Sequence, residues 1–187
     1  MPVRPPACAP TVLIRSHLAM ISTSRLILRT FTLSDVPKLF VMSAEAGMRR
    51  WIPDQVYRDE QHAEQVARAL MAYTDLVPDP RTRPYVLGVE HSETRSLIGH
   101  VGLSAARGSV EIGYAIEQQH QGAGLATEAV TAMSGWGLVE LGLPEVLGIV
   151  AVDNAPSRRV LEKAGFVRTG ESVDGRANAV LIYRRAQ

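Results

Sequence analysis

Residues 119–128, with the sequence QHQGAGLATE, have the types and spacing best suited to chemistry. Glycine has no Cβ atom, so Gly122 and Gly124 let the backbone approach a ligand closely. The segment follows a predicted strand and opens a predicted helix, whose first backbone N–H groups have no acceptor inside the helix. Those N–H groups and the helix dipole attract anions, so the segment is predicted to bind a phosphate or pyrophosphate group.

The spacing of this glycine pair disfavours two other phosphate-binding motifs. The sequence contains no G-x-x-x-x-G-K-[ST] segment, which argues against a nucleoside triphosphate site. The dinucleotide-binding G-x-G-x-x-G pattern is also incomplete, because Thr127 stands where its third glycine belongs. A strand-to-helix turn without a ligand would use the same two glycines, and this interpretation stays open at this point.

Strands and helices alternate around the glycine segment without an internal repeat. A helix over residues 59–73 is indicated by Ala63, Ala67 and Leu70, which share one helical face. Ser34 is the predicted N-cap of the first helix. Helices are predicted over residues 35–44, 59–73, 124–141 and 155–164. Strands are predicted over residues 21–30 (clearest at 25–30), 85–90, 96–103, 110–116, 146–152, 166–171 and 179–184. This order predicts an α/β or α+β fold with a mixed sheet flanked by helices.

The length and composition predict one compact domain. The chain has 187 residues, of which 46% are hydrophobic and 21% are charged, as in an ordinary globular protein. Residues 1–19 have no periodic pattern and include the string PVRPPACAP. We expect them to be a terminal tail or, if Met20 is the true start, an over-extension of the gene. The domain is expected to span residues 20–187.

Charge and cysteine content limit the partners. Twenty Lys and Arg residues against nineteen Asp and Glu leave a formal net charge of +1, which disfavours nucleic acid as a partner. Cys8 is the only cysteine, so an internal disulfide and a cysteine-based metal site are both disfavoured. No apolar run approaches the roughly 18 residues that span a bilayer, and no export signal is recognisable. We therefore expect a cytoplasmic protein without a metal or a membrane partner.

Several motifs together resemble one superfamily. Gln119-x-x-Gly122-x-Gly124 resembles the Q/R-x-x-G-x-G/A motif of the GCN5-related N-acetyltransferases (GNAT). The longer string GAGLATEA is similar to the branch that includes the ribosomal-protein alanine N-acetyltransferases. Further matches are TSRLILR at 23–29, EIGYAI at 111–116 and DNAPSRRVLEKAGF at 153–166. The resemblance covers approximately residues 20–187.

The resemblance implies a fold, a donor and a set of donor-binding residues. The implied fold is a mixed, mostly antiparallel twisted sheet of about seven strands flanked by about four helices. The implied donor is acetyl-coenzyme A, with its pyrophosphate on the glycine segment and its pantetheine arm along residues 110–116. Asn154 is implied to contact that arm, although it is also a favoured helix N-cap. The residues expected to bind the donor are Tyr114, Ala115, Ile116, Gln119, Gln121, Gly122, Ala123, Gly124, Leu125, Ala126, Asn154 and Ser157.

Catalysis of acetyl transfer to an amine requires a base and an acid. Glu111 is the first candidate for the base because it starts the strand beside the expected cleft, and His100 is the second. Glu111 could instead be a charge at the sheet edge. Many superfamily members have a tyrosine that acts as the general acid where this chain has Leu161. The resemblance to the branch implies that Ser157 takes over this role here. The only cysteine lies outside the matched region, which favours direct transfer in a ternary complex over an acyl-enzyme.

The acceptor is expected to contact residues 49–54 and 174–176. Trp51 could instead fill the core, while Asp54 and Asp174 could attract a cationic amine. The motifs do not separate a protein N-terminal α-amine from a small-molecule amine, nor a monomer from a homodimer. The leading hypothesis is an N-acetyltransferase that uses acetyl-coenzyme A. The alternative is a module that binds an acyl-coenzyme A without turnover, which Leu161 at the usual tyrosine position motivates.

Overall fold

One sheet contains all eight strands of the residues that the structure describes. The computed structural model describes residues 20–74, 76 and 78–187, so the predicted tail over residues 1–19 lies outside them. The strands are β1 (Met20–Ser22), β2 (Leu26–Arg29), β3 (Tyr85–His91), β4 (Leu97–Ala106), β5 (Ser109–Ile116), β6 (Glu145–Ala151), β7 (Val167–Val173) and β8 (Ala179–Ala186). Their order is β1-β2-β3-β4-β5-β6-β8-β7. Only β5 and β6 are parallel neighbours; the other pairs are antiparallel.

The α-helices cover the two faces of this sheet. They are α1 (Val36–Ser43), α2 (Ala46–Trp51), α3 (Glu60–Thr74), α4 (Leu125–Val139) and α5 (Ala155–Lys163). Parallel neighbours need a crossover connection, and α4 supplies it between β5 and β6. The larger core includes residues of α4 and α5, and the smaller core includes residues of α1 and α3. Leu87 and Val89 of β3 belong to the larger core while Val86 packs against the smaller one, so the cores lie on opposite faces.

The predicted fold class is confirmed, with one more strand and one more helix than expected. The pattern over residues 21–30 divides into β1 and β2, because the Thr23 N–H donates to the Leu26 carbonyl oxygen at 2.9 Å and reverses the chain. The additional helix is α2, which has six residues, includes Gly47 and has no side-chain cap. Such a short helix gives little periodic signal and gains little from intrinsic propensity.

The predicted N-cap of the first helix is wrong. Ser34 lies inside a 3-10 turn over Leu33–Asp35, and this turn leads directly into α1. Thr32 is the cap of the turn, and its backbone N–H donates to the Asp35 Oδ2 at 2.7 Å. The Asp35 carboxylate therefore satisfies a backbone N–H at the start of this segment, which is the need that a cap meets.

Candidate active site

The cleft of the molecule begins where β5 and β6 separate. The two strands are paired at one position, Glu111 with Leu147. Beyond it, residues 112–116 of β5 and residues 149–151 of β6 both line a cavity of about 520 Å³. The other walls come from α2, the loop before α4, the first turn of α4, and α5. A parallel pair that opens after one register position leaves room for an extended ligand between two neighbouring strands.

The edge of β5 that faces this cavity offers main-chain hydrogen-bonding groups. Ile112 through Ile116 pair with β4 on one side, from Leu103 to Gly99. In the described part of the chain, the opposite edge pairs with β6 only at Glu111. Buried backbone groups without a partner cost about 1–3 kcal/mol each. An extended ligand with amide groups would satisfy them and gain affinity by doing so.

The loop before α4, here called the glycine loop, contains two glycines, Gly122 and Gly124, with a left-handed backbone conformation. Gly122 has a φ of 81° and Gly124, the N-cap of α4, has a φ of 80°. Side chains disfavour this conformation, because a Cβ would crowd the following carbonyl oxygen. A Cβ placed on Gly122 would meet nothing within 4 Å, and one on Gly124 would meet only the Arg25 side chain at 3.6 Å. Open space over an exposed helix start fits the phosphate group of a coenzyme.

Ten of the twelve residues predicted to bind the donor line the cavity, and Gln119 and Ala123 do not. The Gln119 side chain instead donates to Glu117 Oε2 at 2.8 Å. The Ala123 carbonyl oxygen accepts from Arg25 Nη1 at 2.9 Å. Gln121 lines the cavity, but its side-chain amide donates to the Ile116 carbonyl oxygen at 2.7 Å. These three residues therefore hold the loop in shape through contacts within the protein.

Ser157 and Tyr114 meet on the wall formed by β5 and α5. The Tyr114 hydroxyl lies 2.7 Å from Ser157 Oγ and 3.1 Å from the Ser157 carbonyl oxygen. Burial raises the pKa of Tyr114 to about 12, and the hydrogen bond to Ser157 opposes this only in part. Asn154 is the N-cap of α5, with its Oδ1 accepting from the Ser157 N–H at 3.2 Å. The structure thus assigns Asn154 its capping role while leaving it in the cavity wall.

Leu161, at the position where a tyrosine was considered, is a core residue. Its side chain is 1% exposed and belongs to the larger core. A Cβ placed on Gly148 of β6 would lie 2.7 Å from Leu161 Cδ2. Leu161 therefore packs directly on the backbone of β6, and the glycine is needed for that close approach.

The two predicted bases lie beside the cavity, and neither is among its lining residues. Glu111 pairs with Ser104 and His100 pairs with Ala115 across β4 and β5, so the two candidates share one face of the sheet. Burial raises the pKa of Glu111, and the positive charge of Arg107 opposes the rise in part. Burial lowers the pKa of His100 to about 4. Its Nε2 is enclosed without a hydrogen-bond partner among the described residues.

Part of the segment expected to contact the acceptor lines the cavity. Met48 and Trp51 of α2 and Ile52, which directly follows the helix, line it, so Trp51 belongs to the cavity wall. Sequence analysis missed Met48, although the three residues have the i, i+3, i+4 spacing of one helical face. The Arg50 guanidinium lies 4.3 Å from the centre of the Trp51 ring and donates to Asp153 at 3.0 Å.

The two carboxylates expected to attract a cationic amine have partners inside the protein. Arg176 donates to Asp54, which brings the two predicted acceptor segments together. Asp174 accepts from the backbone N–H groups of Arg176 and Asn178 within its own turn, at 2.8 Å each. Hydrogen bonds from Asn178 lower the pKa of Asp174. The Asp174 carboxylate therefore stabilises the turn between β7 and β8. The Asp54 carboxylate holds that turn against the segment after α2.

Two cationic side chains of α5 complete the cavity wall. Arg159 and Lys163 both line it, whereas Arg158 does not. Arg159 and Lys163 are four residues apart and therefore lie on one face of the helix. The packing of α5 turns Arg159 toward the cleft and leaves Arg158 outside it. Cationic groups in this wall and the free amides of the glycine loop suit a ligand that carries several phosphates.

Comparison with known proteins places this cleft in a family. A family model for the acetyltransferase (GNAT) domain matches residues 25–167. The Bacillus subtilis protein YoaA, described as an uncharacterized N-acetyltransferase, is 29% identical over 154 residues, which are 81% of this chain and 84% of YoaA. A GNAT-family acetyltransferase from Bacillus anthracis has the same fold, with a TM-score of 0.76 at 22% identity over 89% of this chain and 98% of that one.

A third similar protein was solved with a ligand. RimL, a ribosomal L7/L12 alpha-N-protein acetyltransferase in complex with coenzyme A, has a TM-score of 0.74 at 17% identity, covering 89% of this chain and 97% of RimL. The chain belongs to the GNAT acetyltransferase family, as the motifs predicted. It is an acyltransferase of the N-acetyltransferase type, and its family uses acetyl-coenzyme A.

Two features are absent from the residues that the structure describes. None of the helices there is long and apolar enough to cross a bilayer. Within the same residues, no group of three or more His, Cys, Asp or Glu side chains could hold a metal ion.

Proposed function

We propose that this protein transfers the acetyl group of acetyl-coenzyme A to a primary amine, by direct attack of the amine on the thioester in a ternary complex. The separation of β5 from β6 after the Glu111–Leu147 pair carries the proposal. It creates a slot whose open strand edge suits the amide groups of a pantetheine arm. At the mouth of that slot stands the start of α4, where a pyrophosphate finds free amides and the helix dipole.

Each end of the donor has suitable residues on this chain. The amides of the loop containing Gly122 and Gly124 would hold the pyrophosphate, and Arg159 and Lys163 would contact the phosphates from α5. The backbone of residues 114–116 would pair with the pantetheine arm. Asn154 would contact the same arm with the part of its side chain that does not cap α5. Gln119 and Ala123 contribute by fixing the shape of the loop.

The acceptor must lose a proton before its nitrogen can attack, because an alkylammonium ion has no free lone pair. Glu111 is the proposed base, acting through water from the point where β5 and β6 separate, and His100 is the second candidate. Burial raises the pKa of Glu111 and so makes its carboxylate a stronger base. The low pKa of His100 keeps it neutral near pH 7 but makes it a weak base.

The reaction also needs a proton donor for the departing thiolate. As the C–N bond forms and the C–S bond breaks, the thiolate would accept a hydrogen bond and then a proton through the Ser157 hydroxyl. Tyr114 would hold that hydroxyl in place through the 2.7 Å contact between their oxygen atoms. Leu161 has no proton to donate from its aliphatic side chain and is buried in the core, so it cannot take this role.

The proposed acceptor is a protein N-terminal α-amine, ahead of a small-molecule amine. RimL is named for such a substrate, which supports a protein acceptor for this chain as well. Met48, Trp51 and Ile52 contribute apolar side chains to the cavity wall. They would suit the first side chain of a peptide whose amine reaches the thioester.

Calorimetry and thiol release test the proposal in two stages. Acetyl-coenzyme A should bind, and free coenzyme A should then appear with peptides that have a free N-terminus but not with the same peptides formylated there. Release with small amines alone would shift the acceptor to that class. Binding without release across a broad panel would favour a non-catalytic acyl-coenzyme A-binding module. Absence of binding would contradict both functions.

A further inference from the structure

The turn between β1 and β2 contacts the glycine loop at Ala123, which does not line the cavity. Arg25, in this turn, donates through Nε to Glu128 Oε2 at 2.7 Å and through Nη1 to the Ala123 carbonyl oxygen at 2.9 Å. Its Nη2 also lies 2.7 Å from Glu128 Oε2. One guanidinium therefore bridges the loop and the first turn of α4. The contact with Ala123 helps to shape the loop, whereas the ion pair with Glu128 has no part in the proposed function.

Glu128 is held in the ionised form by the same turn. Its Oε1 accepts from Thr23 Oγ1 at 2.6 Å, from Ser24 Oγ at 3.0 Å and from the Arg25 N–H at 2.9 Å. Burial raises the pKa of Glu128, but the hydrogen bonds from Thr23, Arg25 and Ser24 outweigh it and hold the pKa below its ordinary value. A full negative charge therefore stands in the first turn of α4 near neutral pH.

That charge conflicts with an anion site at the same helix end. A carboxylate in the first turn stabilises an empty helix through the dipole, but it repels a pyrophosphate bound there. Arg25 offsets the charge of Glu128 directly. Its Nη2 is also 3.6 Å from where a Gly124 Cβ would be, so the compensating charge lies next to the loop.

The contact with Ala123 also sets the direction of a loop amide. In a planar trans peptide the C=O and the N–H point in opposite directions. Arg25 holds the Ala123 carbonyl oxygen at the back of the loop. The N–H of the same peptide belongs to Gly124, which lines the cavity. Fixing the oxygen on one side thus turns the Gly124 N–H toward the other side, where a phosphate would accept from it.

We propose that Arg25, held by Glu128, is a positioning residue for the donor's phosphates: it directs the Gly124 N–H into the cleft and cancels the charge of Glu128. The proposal rests on the proposed function, because it assumes that the loop binds a pyrophosphate. Arg25 belongs to the TSRLILR segment, which is distant in sequence from the loop. This segment therefore determines how tightly the loop binds a pyrophosphate.

The test compares coenzyme A with pantetheine, which has no pyrophosphate, on the full chain. Arg25→Gln should weaken coenzyme A binding, measured by calorimetry, about tenfold or more, as expected for loss of a charged hydrogen-bonding group. Pantetheine binding, followed by NMR titration, should change less than twofold. The exposed pair Arg68–Glu64 of α3 supplies the matched control Arg68→Gln, which should leave both affinities unchanged.

A double variant separates the compensation of the Glu128 charge from the orientation of the Gly124 N–H. Arg25→Gln leaves Glu128 uncompensated, so adding Glu128→Gln should recover part of the lost coenzyme A affinity. Recovery should stay incomplete, because the Ala123 carbonyl oxygen has still lost its donor. A merely structural contact predicts no recovery, and that result would overturn the proposal.

Other outcomes are equally decisive. Unchanged coenzyme A affinity in Arg25→Gln, or equal losses for coenzyme A and pantetheine, would overturn the proposal. If Arg25→Gln does not fold, Arg25→Lys serves instead, because it keeps the charge but loses the planar fork that spans two acceptors. It should bind coenzyme A several-fold more weakly, and wild-type affinity would contradict the inference. Failure of the wild-type protein to bind coenzyme A would instead contradict the proposed function.

Discussion

The hydroxyl of Tyr114 on β5 lies 2.7 Å from Ser157 Oγ on α5, across the wall of the cleft. The same hydroxyl lies 3.1 Å from the Ser157 carbonyl oxygen, which can only accept. Tyrosine has one proton to donate, so two arrangements compete. When the proton points to Oγ, the serine hydroxyl is free to donate into the cleft; when it points to the carbonyl, the serine donates to Tyr114. Under the proposed function, the pair would control whether Ser157 has a proton available for the thiolate.

Tyr114→Phe should lower kcat while leaving donor affinity nearly unchanged, because it removes the partner of the Ser157 hydroxyl but keeps the ring. A hydrogen bond of ordinary strength corresponds to a loss of about three- to tenfold. Steady-state kinetics with the acceptor found by the screen would measure it. Ser157→Ala and the double variant should lose about the same as each other, because Tyr114 acts through Ser157. Fully additive losses would contradict this coupling.

Glu111→Gln should lower kcat/KM by about a hundredfold or more if Glu111 is the base. In the wild type, activity should rise with pH as the carboxylate loses its proton. Because burial raises the pKa of Glu111, that rise should lie above the ordinary glutamate range. The Glu111→Gln variant should lose this rise of activity with pH, the acid limb of the profile. Glu171→Gln, at an exposed glutamate of β7, is the control, and an acid limb that persists in Glu111→Gln would move the role to another residue.

Gly124→Val should abolish measurable binding of coenzyme A and destabilise the fold. A β-branched residue at a φ of 80° costs roughly 1–3 kcal/mol, and its side chain would crowd Arg25, whose Nη2 lies 3.6 Å from the Cβ position. Calorimetry and urea denaturation measure the two effects separately. Gly170→Val in β7 is the control, because a Cβ there meets nothing within 4 Å and the backbone is not left-handed. Normal coenzyme A affinity in Gly124→Val would place the pyrophosphate elsewhere.

His100 should make the protein less stable in acid. Burial lowers its pKa to about 4 in the folded state from an ordinary value of 6.5, so between these values the unfolded chain binds more protons and stability falls as pH falls. The loss from pH 6.5 to pH 4 should reach at most about 3 kcal/mol. Urea denaturation at several pH values should show a flatter profile for His100→Asn. His62→Asn on α3 is the matched control, and identical slopes for wild type and His100→Asn would contradict this source of acid sensitivity.

Much of this molecule follows from short-range patterns. The glycine loop was predictable because its need for backbone approach and left-handed φ appears in the types and spacing of Gly122 and Gly124. Strands β3 to β6 and helices α3 to α5 were predictable because their faces repeat with the periods of a strand or a helix. The motifs also led to the correct family and fold class. The six-residue α2 and the division of β1 from β2 were missed, because one or two turns carry little periodicity.

Only the tertiary structure decided which residues surround the cleft. Arg50 and Asp153 are 103 positions apart, as are Arg25 and Glu128. No local pattern pairs such residues, because their contact depends on how helices and loops pack across the whole sheet. The opening of β5 from β6 after one residue pair is likewise a property of strand register, which neither sequence segment contains alone. The sequence therefore determined the glycine loop and the family, while packing determined the support of that loop, the pairing of Tyr114 with Ser157, and the burial of Leu161.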